Sequence, residues 1–327
     1  MQVVLVGTCV FVYDGRMAYV IVSATLLLFF LGWNIFLWGY RDSNRPVLEP
    51  HPQQVFDPRC RPIFLVHEPP ADKALIMVHG FPSTPHTYGY AASRAFAEGY
   101  DVFVPLLPGF GTKPEDLYHT TFSQWYGYLS RFYQSKRGQY RFLGVVGTSM
   151  GGAMTLRLGE DFSDTPQAPD ALVTVAAPLF INSFRDRVVK RWSMYIMRTV
   201  ALFTPALSPD IHWGGTKQND GEEIWIGYRG TFVRAGLSLV YAFKGIRRDL
   251  EKITCPLLSF HDKHDGTVPY ANLKVIASHV RAKPFKERTV EMQASHNRHV
   301  LLMYVSVQKQ LLDEIIEFCE SLKQMNR

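Results

Sequence analysis

The residues able to do covalent chemistry gather at a few short stretches. Gly147-Thr148-Ser149-Met150-Gly151-Gly152 follows the apolar run Phe142-Leu143-Gly144-Val145-Val146 and opens the helix-compatible run Ala153-Met154-Thr155-Leu156-Arg157-Leu158. A serine on a sharp strand-to-helix turn presents its hydroxyl. Glycines two positions to either side are required there because side chains would collide with neighbouring backbone. The glycine-serine-glycine spacing alone is moderately specific; between a strand and a helix it marks Ser149 as a nucleophile. A serine hydroxyl is a weak nucleophile at neutral pH, so a base must take its proton and an acid must orient that base.

Both partners are expected downstream, the acid after a late strand and the histidine just before the last helix. Pro256-Leu257-Leu258-Ser259-Phe260 reads as that strand, and the loop after it, His261 to Pro269, holds two acids, Asp262 and Asp265. Asp265 is preferred because two residues separate it from a Val-Pro step that starts the next helix; Asp262 reads as a turn residue or a supporting partner. For the base, Ser295-His296-Asn297-Arg298-His299 offers His296 and His299. His299 is preferred because it leads directly into the terminal amphipathic helix, whereas His296 needs a different loop path. Two backbone N–H groups must also meet the developing oxyanion. Met150, next after the nucleophile, supplies one; Phe81, in the His79-Gly80-Phe81-Pro82 loop after an early strand, supplies the other. His79 reads as shaping that loop.

The elements that must position these groups follow from the periodicity. Buried-strand runs stand at Ala74–Val78, Val102–Leu107, Phe142–Val146, Leu172–Ala176 and Pro256–Phe260, with helix-compatible segments between most of them. That alternation predicts an α/β fold with a mostly parallel sheet flanked by helices. Val300–Leu322 has apolar residues at helical spacing and should cover the sheet. Residues 181–250 show no clear strand and read as a lid inserted in the core, which comprises 62–180 and 251–327. Its aromatics, among them Trp192, Phe203, Trp213 and Phe232, could bind an acyl chain, although most should form the insertion's own core.

Residues 1–41 hold an anchor. From Ala18 to Trp38 the chain carries no charge, and at about 1.5 Å per residue it reaches roughly 30 Å, one hydrocarbon core. It is longer than a signal-peptide apolar region and has no small-residue cleavage site after it. A single-pass membrane protein is expected, and one extra arginine downstream of the span leans toward a cytoplasmic body. Met17, directly before the span, is an alternative start. Residues 42–61, rich in Pro and Arg, read as a juxtamembrane linker.

In 327 residues the net charge is +6. The excess lies largely between 181 and 250, at Arg185, Arg187, Lys190, Arg191, Arg247 and Arg248. With no helix-spaced basic stripe and no nucleic-acid motif, it reads as a solvated face rather than as a nucleic-acid site, the other reading being a surface against anionic lipid headgroups. Cys9, Cys60, Cys255 and Cys319 share no metal-ligand spacing, so neither metal nor disulfide framework is expected.

These residues resemble the bacterial carboxylesterases and monoacylglycerol lipases of the α/β-hydrolase superfamily, over roughly residues 73–322. Beyond the elbow, the likeness rests on His79-Gly80-Phe81, Pro108-Gly109-Phe110-Gly111, Pro114-Glu115-Asp116-Leu117, His119-Thr120, Trp125, His264-Asp265 and His299-Val300-Leu301. Phe110 stands where that group often has histidine, and the anchor departs from its soluble pattern. The resemblance implies a triad of Ser149, Asp265 and His299, a lid over an acyl pocket, no cofactor, and a small ester as substrate. Thioesterase, acyltransferase and peptidase chemistry share the triad. A binding protein on the same fold usually loses a triad residue, and here all three stand.

Overall fold

The computed structural model describes residues 2–6, 9–13, 15–42, 46–214, 224–292 and 297–325. Two short strands, β1 (Gln2–Val6) and β2 (Cys9–Tyr13), pair antiparallel ahead of the apolar helix α1 (Gly15–Asn34). The body then runs β3 (Ile63–Leu65), β4 (Lys73–Val78), α2 (Gly89–Ala97), β5 (Asp101–Val104), α3 (Pro114–Tyr118), α4 (Phe122–Arg137), β6 (Phe142–Thr148), α5 (Met150–Phe162) and β7 (Ala171–Val175). The insertion contributes β8 (Asn182–Ser183), β9 (Val188–Val189), α6 (Met197–Phe203), β10 (Leu207–Gly214), β11 (Trp225–Thr231) and α7 (Val233–Asp249). The chain closes with β12 (Leu257–Asp262), α8 (Ala271–His279), β13 (Phe285–Val290) and α9 (Val305–Met325).

The central sheet has the order β13-β12-β7-β6-β4-β5-β3, parallel throughout except for the edge strand β3, which pairs antiparallel with β5. This is the α/β-hydrolase architecture that the sequence predicts. Its strands alternate between two cores: Ala74, Ile76 and Val78 face one, Leu75 and Met77 the other. A parallel strand buried on both faces needs such an uninterrupted apolar run. One face is covered by α4, α5, α7 and α8, the other by α2 and α9. At 7 residues β6 is the longest strand of this sheet, and its end delivers the elbow.

Four expectations change. The expected span 18–38 is a helix only to Asn34; beyond it Leu37 and Gly39 take positive φ and Trp38 folds back onto Gly32. The apolar stretch continues, but Asn34 is held sideways by Thr199 at 2.9 Å, so the helix stops. The insertion contains a genuine hairpin, β10 with β11, where no strand is expected. Most of β10 is exposed or half-buried and it carries Pro209, so it lacks the alternation by which strands are recognised. Expected as a single helix, Val300–Leu322 divides into a 3-10 turn at Leu301–Met303 and α9, separated by an extended Tyr304.

Finally, the segment before β3 lies along the body. Gln124 donates to the Pro46 carbonyl at 2.9 Å, Arg131 pairs with Glu49, and the Phe56 N–H donates to the Gly111 carbonyl at 2.9 Å. Val47 fills the space that Gly127 of α4 leaves open. Apolar and hydrogen-bonding residues among the prolines make this stretch a strap.

Candidate active site

Ser149 sits between β6 and α5 with φ 57° and ψ −121°, a conformation that L-residues rarely adopt and that costs about 1–3 kcal/mol. The turn is closed by the Ser149 N–H donating to the Val175 carbonyl at 2.8 Å. Close approach explains the flanking glycines. A Cβ on Gly147 would lie 2.2 Å from the Gly151 carbonyl oxygen, and one on Gly151 would lie 2.0 Å from that of Val78. Neither backbone can yield without moving α5 or β4.

His299 approaches from the loop ahead of α9, its Nε2 2.9 Å from Ser149 Oγ. Its Nδ1 lies 2.7 Å from Asp265 Oδ2, so the three residues form one hydrogen-bonded chain. Asp265 is buried and well supplied with donors. Its Oδ1 accepts from the N–H groups of Thr267 at 2.7 Å and Val268 at 2.9 Å. Burial pushes the Asp265 carboxyl up, but the charge and hydrogen bonds of His299 and His261 outweigh it and hold the group below the usual carboxylate range. Asp262 is turned elsewhere, accepting from His264 N–H at 2.7 Å and Met292 N–H at 3.0 Å. It fastens the loop that carries Asp265. His296 lies outside the described residues.

The N–H of Met150, first residue of α5, has no carbonyl one helical turn earlier to bond. Among the described residues the Phe81 N–H also meets no backbone acceptor. Beneath Phe81 the fully buried His79 bridges two segments. Its Nδ1–H donates to the Gly80 carbonyl at 3.0 Å, and its Nε2 accepts from the Leu107 N–H at 3.3 Å. Burial lowers the His79 imidazole to about 4, so it is neutral at pH 7, as both bonds require. Phe110 packs edge-on against His79 with ring centroids 5.0 Å apart, and Phe81 lies among Phe110, Trp125 and Phe232.

Two attachments escaped sequence reasoning. His261, at the end of β12, places Nε2 3.3 Å from Asp265 Oδ2, and Lys190 of the insertion donates to the Asp265 carbonyl at 2.9 Å. Alternation along β12 was the only signal for the first, and nothing local signals the second. The insertion also grips the loop after β4. Ser83 bridges to Gly227, the Tyr228 N–H donates to the Pro82 carbonyl at 3.0 Å, and Thr84 Oγ1 donates to the Ile226 carbonyl at 3.0 Å. Among the described residues no group of three or more His, Cys, Asp or Glu could hold a metal ion.

Known proteins share this fold and sequence pattern. A thermostable monoacylglycerol lipase of Bacillus sp. (strain H-257) is 28% identical over 202 residues, 62% of this chain and 74% of that protein. A carboxylesterase of Bacillus subtilis (strain 168) is 22% identical over 210 residues, 64% of this chain and 78% of its own length. Among solved structures, one from a study of the metagenome-derived lipolytic enzymes LipS and LipT superposes with a TM-score of 0.65 at 21% identity, covering 81% of this chain and 98% of that one. The monoacylglycerol lipase of Paleococcus ferrophilus gives 0.62 at 15% identity, covering 80% and 98%. The resemblance to carboxylesterases and monoacylglycerol lipases is thus borne out. A family model described as serine aminopeptidase, S33, matches residues 69–300, and the chain belongs to that family of α/β-hydrolases.

Proposed function

We propose that this protein is a membrane-anchored serine esterase that cleaves carboxylic esters, monoacylglycerol-like or medium-chain, through an acyl-enzyme on Ser149. The observation that carries the reading is the unbroken chain from Ser149 Oγ through His299 to Asp265, set on a strained elbow. In the first half-reaction Ser149 Oγ attacks the ester carbonyl while His299 Nε2 takes its proton; the imidazolium then protonates the leaving alcohol. Water repeats the sequence, giving up its proton to His299 and releasing the acid. Asp265 holds the Nδ1–H tautomer and steadies the imidazolium. The N–H groups of Phe81 and Met150 receive the oxyanion, each worth about 2.7–4 kcal/mol in a comparable site.

The relatives named as lipase and carboxylesterase favour esters over peptides. So does the apolar surroundings of the site, where Phe81, Phe232 and Tyr118 form a continuous aromatic wall. The insertion serves as a lid, and α1 serves as the anchor. Arg16–Asn34 is long and apolar enough to cross a membrane and is largely exposed. On the neighbouring insertion Trp192, Leu202 and Phe203 are also exposed, forming with α1 the kind of apolar surface that faces lipid.

The test is labelling of the full-length protein in detergent with a fluorophosphonate, beside Ser149→Ala and a series of p-nitrophenyl esters and aminoacyl anilides. Labelling that disappears in the variant, with turnover falling by about 10⁴-fold or more and strongest on medium-chain esters, is expected. Anilide cleavage in preference to esters would make it a peptidase, and a folded but unlabelled protein would make it a binding protein.

A further inference from the structure

We propose that the cavity at the C-terminal end of α1 binds the phosphate of a membrane phospholipid through Arg198, Arg234 and Arg41. The proposal rests on the reading of α1 as a membrane span. The cavity, about 330 Å³, is an open cleft between the end of α1, residues 118–121, α6 and α7, and no member of the Ser149 triad lines it. Three guanidinium groups and one carboxylate, Asp42, face it, so its charge is positive.

Arg198 points to the ligand. It is 8% exposed and lines the cavity. Its Nη1 donates to the carbonyls of Trp33 at 3.1 Å and Trp38 at 2.6 Å, and its guanidinium lies 3.5 Å over the Trp33 ring and 5.5 Å from the Tyr40 ring. These contacts fix its plane without neutralising it. Among the described residues no carboxylate pairs with Arg198, and its Nε and Nη2 have no acceptor. Its free N–H groups open onto the cavity, where an anion can accept from them. The paired N–H groups of a guanidinium match two oxygens of one phosphate. The Arg234 side chain is anchored by its Nε, which donates to the Ala201 carbonyl at 3.2 Å.

Position selects a lipid over a soluble anion. The site lies where the apolar helix ends, and Leu202, 62% exposed, forms part of its wall. Phe36 and Trp38 are exposed beside it. A ligand held there by its phosphate can lay its acyl chains along α1. The basic residues singled out from the sequence are not the ones involved: Arg247 is committed to Asp186 and Arg248 to Asp249.

The experiment is native mass spectrometry of the full chain in neutral detergent, titrated with dioleoylphosphatidylglycerol, diolein, oleate or inorganic phosphate. Phosphatidylglycerol is expected to bind at one site and diolein not to bind. The Arg41→Gln/Arg234→Gln double variant, which keeps the Arg198 contacts with α1, should bind at least about tenfold more weakly. Arg198→Lys, which keeps the charge and loses the fork, should also weaken binding, with thermal unfolding showing that both variants are folded. Unchanged affinity in the double variant, equal binding of diolein or oleate, or displacement of the lipid by an equal concentration of inorganic phosphate overturns the proposal. Alkaline carbonate extraction reads the anchor separately. A chain released as soluble protein overturns the anchoring, and a chain retained in the membrane without lipid discrimination overturns only the headgroup site.

Discussion

Asp262 and Asp265 share one loop and divide two tasks, one binding the loop together and the other facing the imidazole. Asp265→Asn should lower kcat by about 10⁴-fold with the fold intact, because an amide cannot hold the Nδ1–H tautomer as a carboxylate does. Asp262→Asn should keep kcat within about tenfold and instead lower stability by about 1–3 kcal/mol, the range for weakening a buried hydrogen-bonded acceptor. Steady-state kinetics beside urea unfolding separates the two. His79 carries a pH dependence. Its imidazole is held at about 4 in the folded chain against 6.5 for the ordinary group, so as pH falls the unfolded chain takes up the proton first. Its stability contribution is complete above about pH 6.5 and shrinks on acidification, by about 2 kcal/mol at about pH 5. Urea midpoints at about pH 7.5 and about pH 5 should therefore differ less in His79→Gln than in the natural protein. The positions of Ser149, Asp265 and His299 are legible in sequence because each abuts a recognisable strand or helix. The support from His261 and Lys190 is not, since it depends on where the insertion returns to the sheet.

Each sheet strand that carries a functional residue is visible as an apolar run, whereas the two edge strands, β3 with three residues and the largely exposed β13, leave no such trace. The hairpin β10–β11 is hidden for another reason: its order comes from contact with the loop after β4 and not from burial of its own alternating face. That contact can be broken at Gly227. A Cβ there would stand 2.5 Å from the Pro82 carbonyl oxygen and 3.0 Å from Ser83 Cα, both backbone atoms. Gly227→Ala should push the hairpin off the loop and displace the Phe81 N–H, lowering kcat by about ten- to a hundredfold. Fluorophosphonate labelling of Ser149 should persist, and circular dichroism should show the sheet unchanged. Full activity in this variant would show that the hairpin does not position the loop. The same attachment limits which part of the insertion can move. β11 is bound to the loop, whereas the stretch from β8 to α6 reaches the core through Lys190 and is paired to α7 by Asp186 with Arg247.

At the scale of the molecule, side-chain contacts hold α1 and the strap against the body. Asn34 and Thr199 fasten α1 to α6, Arg198 grips the turn at Trp38, and the strap from Pro46 to Phe56 is bonded along α4 and the loop after β5. Composition alone suggests a linker there, because proline and arginine say nothing about the single valine or glutamate that finds a partner. On the proposed reading of α1 as a membrane span, the height of Ser149 above the bilayer is fixed, and substrate reaches it by diffusing within the leaflet. The concentration that governs its rate is then a mole fraction, not a molarity. In reconstituted vesicles, diluting a monoacylglycerol with phosphatidylcholine at constant total substrate should slow turnover in proportion, while adding enzyme-free vesicles of the same composition should leave it unchanged. Such an enzyme answers to the crowding of its own membrane and is indifferent to the volume of the compartment around it.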